Sequence, residues 1–122
     1  MSTKLERLSI FSLIILMIIP VYADVDKAEI DKATFEIDYK FTISGTTSDV
    51  DRVMLVASMK GPNNEKLTKN IRTDPGTFSF IPVDAKLLFK SKGEYTIQVF
   101  TDVQNVANAT IIKLIYDNGI IS

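Results

Sequence analysis

The chain has 122 residues, 46% hydrophobic and 24% charged, with 14 basic against 15 acidic side chains and a formal net charge of −1. It contains no cysteine, no histidine and no tryptophan. The length allows one domain. The missing residue types remove disulfides, thiolate chemistry, Cys- and His-based metal sites and the commonest general base. The near-neutral balance argues against nucleic acid as a partner, because that binding is driven by phosphate neutralisation.

The N-terminus reads as a leader. Lys4 and Arg7 give a positive start, and Leu8 to Ile19 is apolar except for Ser9 and Ser12. Pro20 ends the run, and Val21-Tyr22-Ala23 places small residues where a signal peptidase cuts. The run is shorter than the ~20 apolar residues of a spanning helix. The expectation is a signal-peptide helix over residues 1–23, cleaved after Ala23, and one exported domain over residues 24–122. Association with a membrane is expected only if the leader is retained.

Beyond the leader, period-2 alternation dominates. A short strand is expected over Val25 to Ile30. Phe35, Ile37, Tyr39, Phe41 and Ile43 alternate with polar residues, which predicts one half-buried strand. Gly45-Thr46-Thr47-Ser48-Asp49 has the composition of a turn. Val53 to Met59 is apolar on both sides and predicts a central strand. Gly61-Pro62-Asn63-Asn64 predicts a hairpin loop leading to a short exposed strand with Leu67 and Ile71. Asp74-Pro75-Gly76 is a second turn, with the glycine placed for positive φ. Thr77 to Val83 follows as a strand that Pro82 ends or confines to an edge. Residues 84–92 form a connector with room for one helical turn and an apolar plug of Leu87, Leu88 and Phe89. Tyr95, Ile97 and Val99 alternate in the next strand. Asp102 to Asn105 turns the chain into Thr110 to Tyr116, where Ile111 and Ile115 oppose Ile112, Leu114 and Tyr116, so both faces of this last strand are expected to be covered. The total is about seven strands, the pattern of an antiparallel β-sandwich.

The ordered series Phe41-Thr42-Ile43-Ser44-Gly45-Thr46-Thr47, Val53-Met54-Leu55-Val56, Asp74-Pro75-Gly76-Thr77-Phe78-Ser79 and Gly93-Glu94-Tyr95-Thr96-Ile97 resembles immunoglobulin-like or fibronectin type III-like domains of archaeal and bacterial cell-surface proteins. The resemblance covers roughly residues 28–117. It implies an immunoglobulin-like sandwich engaged in interaction or adhesion, with no catalytic site. Tyr95, near the start of the penultimate strand, takes the position of a tyrosine corner, a structural role in which the hydroxyl bonds to upstream backbone.

The motifs point the same way. Without histidine, only lysine or carboxylate could activate a hydroxyl nucleophile, and no Gly-x-Ser-x-Gly, Ser-x-x-Lys or phosphate loop is present. A carboxylate-dependent glycan hydrolase is the weakest of the alternatives, since the acidic residues fall at wet strand positions and turns. Asp49, Asp51, Asp74 and Asp102 lie in loops, but their turn preference accounts for them and no metal or cofactor is assigned. Asn108-Ala109-Thr110 is a glycosylation sequon, making Asn108 the one candidate modification site. The expected partner is an envelope or extracellular protein, or a second copy. In the latter alternative the segment Asp24 to Lys32 donates a strand to build a fibre, against which Lys27 and Lys32 act as edge protection.

Overall fold

The computed structural model describes residues 25–48, 52–102 and 109–122. The expected leader therefore lies outside the described residues. The chain is all-β and its sheets are antiparallel. In chain order the strands are β1 (Val25–Ile30), β2 (Phe35–Glu36), β3 (Lys40–Phe41), β4 (Ile43–Thr47), β5 (Val53–Lys60), β6 (Lys66–Thr73), β7 (Gly76–Ser79), β8 (Val83–Asp84), β9 (Gly93–Thr101), β10 (Thr110–Asp117) and β11 (Ile120–Ile121). A short 3-10 turn, Ala85–Leu87, follows β8.

One sheet has the order β1-β4-β7 and a second the order β2-β11-β10-β9-β5-β6, while β3 and β8 pair separately. Strand β5 lies between β9 and β6, as its apolar faces predict. The inner faces meet in one cluster: Leu55, Ala57 and Met59 of β5, Tyr95, Ile97 and Val99 of β9, Leu114 of β10, Ile43 of β4 and Phe78 of β7. Aromatic rings fill the end closed by the connector. Phe89 lies 4.6 Å from Tyr95, 6.1 Å from Phe41 and 5.9 Å from Tyr116, centroid to centroid.

Five local expectations are corrected. The strand expected over Thr77 to Val83 ends at Ser79, and Val83 belongs to β8, which pairs with β3 rather than β4, with Pro82 between them. The segment 34–44 keeps its alternation but is not one strand. The Tyr39 N–H donates to the Glu36 carbonyl at 3.0 Å, and this turn splits the segment. Strand β2 then joins β11, β3 joins β8, and β4 joins β1 and β7. Alternation specifies which face a side chain takes, not which neighbour its strand chooses.

Gly45-Thr46-Thr47 is strand rather than turn. The register between β1 and β4 slips between Val25 and Lys27, a bulge that presses the β1 backbone onto Gly45. A Cβ there would lie 1.8 Å from the Lys27 carbonyl oxygen.

In the connector, Leu88 and Phe89 are buried, but Leu87 turns outward because the 3-10 turn rotates it away from its neighbours. The outer face of β10 is also open, with Ile111 52% and Ile115 47% exposed.

The C-terminus adds a strand that the reading above lacks. Asn118 (φ 50°) and Gly119 (φ 83°) form the two-residue loop between Asp117 and Ile120, the Asn-Gly chemistry that suits a tight hairpin. Strand β11 then bridges β10 to β2.

Candidate functional site

Two places collect polar chemistry. The first is the turn joining β5 to β6 together with the connector before β9. Gly61 donates to the Glu65 carbonyl at 2.9 Å, which closes the hairpin and turns the Glu65 side chain back over it. Its Oε1 accepts from the Asn63 N–H at 2.7 Å. Its Oε2 accepts from the Ser91 N–H at 3.2 Å and from the Ser91 hydroxyl. Tyr95 stands beneath this carboxylate. Its hydroxyl donates to the Ser91 carbonyl at 2.6 Å and accepts from the N–H groups of Lys90 (3.0 Å) and Ser91 (3.1 Å). The same oxygen lies 3.1 Å from Glu65 Oε2.

The bond from the Ser91 hydroxyl, followed by those from Asn63 N–H and the Tyr95 side, holds the Glu65 carboxyl down to about 2. These donors favour the charged form. A carboxylate bound this way is a weak base, and it is already occupied by the Ser91 hydroxyl. The arrangement orders a loop. It pins the connector to the hairpin, with the Ser91 hydroxyl donating to Glu65 Oε2.

The second place is a groove of about 330 Å³ at the β2 edge, lined by Lys32, Thr34, Phe35, Glu36, Asp38, Tyr39 and Ile120. The Lys32 ammonium stands 4.7 Å above the Tyr39 ring. The Tyr39 hydroxyl donates to Asp31 Oδ2, and the Thr42 N–H donates to Asp31 Oδ1 at 2.8 Å. Partial burial pushes the Asp31 carboxyl up, but the donors Thr42 N–H and Tyr39 hydroxyl outweigh it and leave it below its ordinary value. The same bond to Asp31 raises the Tyr39 phenol. The groove thus has a fixed aromatic wall, one cation and the exposed Ile120 at its rim.

The remaining sequence candidates are dispersed. Asn108, Asp49 and Asp51 lie outside the described residues. Asp74 faces Arg52 at 3.8 Å, and Asp102 extends the β5–β9 ladder through its N–H to the Met54 carbonyl at 3.0 Å. Among the described residues no group of three potential metal ligands comes together. No helix among them is long and apolar enough to cross a membrane. Sequence reasoning reached Tyr95 but not Glu65 or Ser91, which are 26 residues apart in the chain. Only the loop composition around each marked them as turn residues. Compared with family models, with curated proteins and with solved structures, the chain matches none of them.

Proposed function

We propose that the chain is an immunoglobulin-like module of the fibronectin type III kind, exported to the cell surface, that acts by binding an envelope or extracellular protein. The strand sets β1-β4-β7 and β6-β5-β9-β10 turn their apolar faces to one core, which supports a two-sheet sandwich. The Tyr95 hydroxyl returns to the backbone four residues upstream, as in a tyrosine corner. The acidic side chains of the described residues are exposed or half-buried. They are accounted for by turns and solvation, which supports a binding role over hydrolysis.

One observation carries the interaction reading. Ile111, Ile115 and Ile120 share the outer face of β10 and β11, are 41–52% exposed, and lead into the Lys32–Tyr39 groove. Large apolar side chains grouped on one face mark a surface built to be covered. Strand β1, the donor in a fibre, is seated on β4 of its own chain, so the binding module is the better-supported reading.

The test is retention of the labelled protein on envelope preparations from its source. The double variant Ile111→Lys, Ile115→Lys should lower retention about tenfold, the effect of two modest anchors. Its melting temperature should hardly move, because both side chains are exposed. Equal retention of the two proteins would remove this face from the interface. If the wild type instead associates with itself and the variant does not, the partner is a second copy.

A further inference from the structure

We infer that the free edge of β6 is a docking site for an acidic, extended polypeptide segment, which adds to the sheet as its next strand. The site lies at the opposite border of the sheet from β2 and β11 and does not depend on the isoleucine face.

The edge is long and regular. Strand β6 pairs with β5 without interruption from Lys66 to Thr73 and has no other ladder partner among the described residues. Two bonds fix which of its groups point outward. The Gly61 N–H donates to the Glu65 carbonyl, so the alternate residues Leu67, Lys69, Ile71 and Thr73 bond towards β5. The Asp102 N–H donates to the Met54 carbonyl, which turns Met54, Val56 and Ser58 towards β9 and agrees with that phase. The backbone groups of Lys66, Thr68, Asn70 and Arg72 are therefore presented to an incoming strand.

The charge on this edge is of one sign. Strand β6 has no acidic residue and carries Lys66, Lys69 and Arg72 at every third position. Lys60 of β5 lies directly opposite Lys66. The ion pairs of the described residues are Lys27–Glu29, Arg52–Asp74 and Lys92–Asp117, and none involves these four cations. Like charges opposed across a ladder destabilise it unless an anion sits between them. Glu65, the nearest carboxylate in sequence, is engaged by Asn63 and Ser91. An incoming strand with an acid at every third position would face Lys66 and Arg72 on the outer side and Lys69 on the inner side. A second copy of β6 would bring cation to cation. Strand β1, which is acidic, already serves β4.

The probe is a short extended peptide with glutamate at every third position and valine or threonine between. It is titrated into the folded protein while backbone amides are followed by hydrogen exchange. The amides of Thr68, Asn70 and Arg72 should become protected on binding, and those of β1 should not change. The same peptide with lysine for glutamate should not bind. Binding should fade in about 1 M salt, where charges are screened beyond roughly 3 Å. Lys66→Glu together with Arg72→Glu should weaken it about tenfold. Thr68→Pro removes an outward N–H without touching the β5 ladder and should weaken it about fivefold with the melting temperature unchanged. Three results each overturn the proposal: no binding of the glutamate peptide, equal binding of the lysine peptide, or undiminished binding by Thr68→Pro. The first means that the lysines only keep copies apart, and the last that charge alone attracts any polyanion.

Discussion

Replacing Gly45 by valine is expected to release β1 from the sheet. The bulge in β1 brings the Lys27 carbonyl oxygen so near that any Cβ at Gly45 would sit 1.8 Å from it, with the Ala28 Cα at 2.9 Å. Those atoms are backbone, so no rotamer change relieves the clash. Either β4 or β1 must move, and β4 is held on its other side by β7. Strand β1 is held by the β4 ladder, the buried Val25, the Thr110 hydroxyl donating to the Val25 carbonyl at 3.0 Å, and the half-buried Ala28 and Ile30, but it has a ladder on one side only. Overpacking in a fixed site costs about 1–3 kcal/mol and here falls on the weaker element. For a domain of this size, each kcal/mol lowers the melting temperature by about 4–8 °C. The Asp31 N–H donates to the Thr42 carbonyl, so Lys27 and Glu29 share its phase and bond towards β4. Hydrogen exchange should show the amides of Lys27, Glu29 and Asp31 opening while those of Ile97 and Val99 in β9 stay protected. Gly45→Ala should show the same pattern, with less loss. A melting temperature equal to that of the wild type would mean that the strands do not approach this closely.

Much of this architecture is readable from local chemistry. Alternation in Val53 to Met59 and Tyr95 to Val99 predicts both the strands and their buried faces, because burial of one face dominates a strand's energy. Asp74-Pro75-Gly76 and Asn63-Asn64 predict turns, and the chain takes φ 108° at Gly76 and 67° at Asn64 there. Asn118-Gly119 carries an equally strong hairpin signal. What local chemistry does not carry is partnership. The segment Phe35 to Thr47 looks the same whether it lies in one sheet or crosses between sheets, and it crosses. Gly45 has turn composition, yet it is glycine because another strand needs its space. Ile111 and Ile115 have the composition of a buried face, and only the placement of the other sheet leaves them open. The polar site is less legible still, since Glu65 and Tyr95 are 30 residues apart and meet only after β5, β6 and β9 have paired.

Tyr95→Phe should lower stability by about 1–3 kcal/mol, although the change deletes one oxygen. That oxygen accepts from the N–H groups of Lys90 and Ser91 and donates to the Ser91 carbonyl. Its loss takes a partner from the Lys90 N–H and the Ser91 carbonyl, while the Ser91 N–H keeps Glu65 Oε2 at 3.2 Å, and an orphaned group costs more than a bond contributes. Tyr95→Ala also empties a site against Phe89 and should cost about 3–5 kcal/mol. The loop opens towards acid as well, by a separate route. The Glu65 carboxyl is held near 2 in the folded chain, against an ordinary value of 4.5. A group lowered on folding stabilises fully above its unfolded value, and that contribution disappears as pH falls through the folded one. The wild type should therefore lose stability progressively from about pH 4.5 towards pH 2. Glu65→Gln should be less stable at neutral pH and lose less over this interval, because its amide does not titrate. Thermal melts of the four proteins at pH 7, 4 and 2.5 separate the effects: ring and hydroxyl by the two tyrosine variants, carboxylate by the slope. If the wild type and Glu65→Gln fall in parallel with acid, Glu65 is not the titrating latch and the pH dependence belongs to other carboxylates.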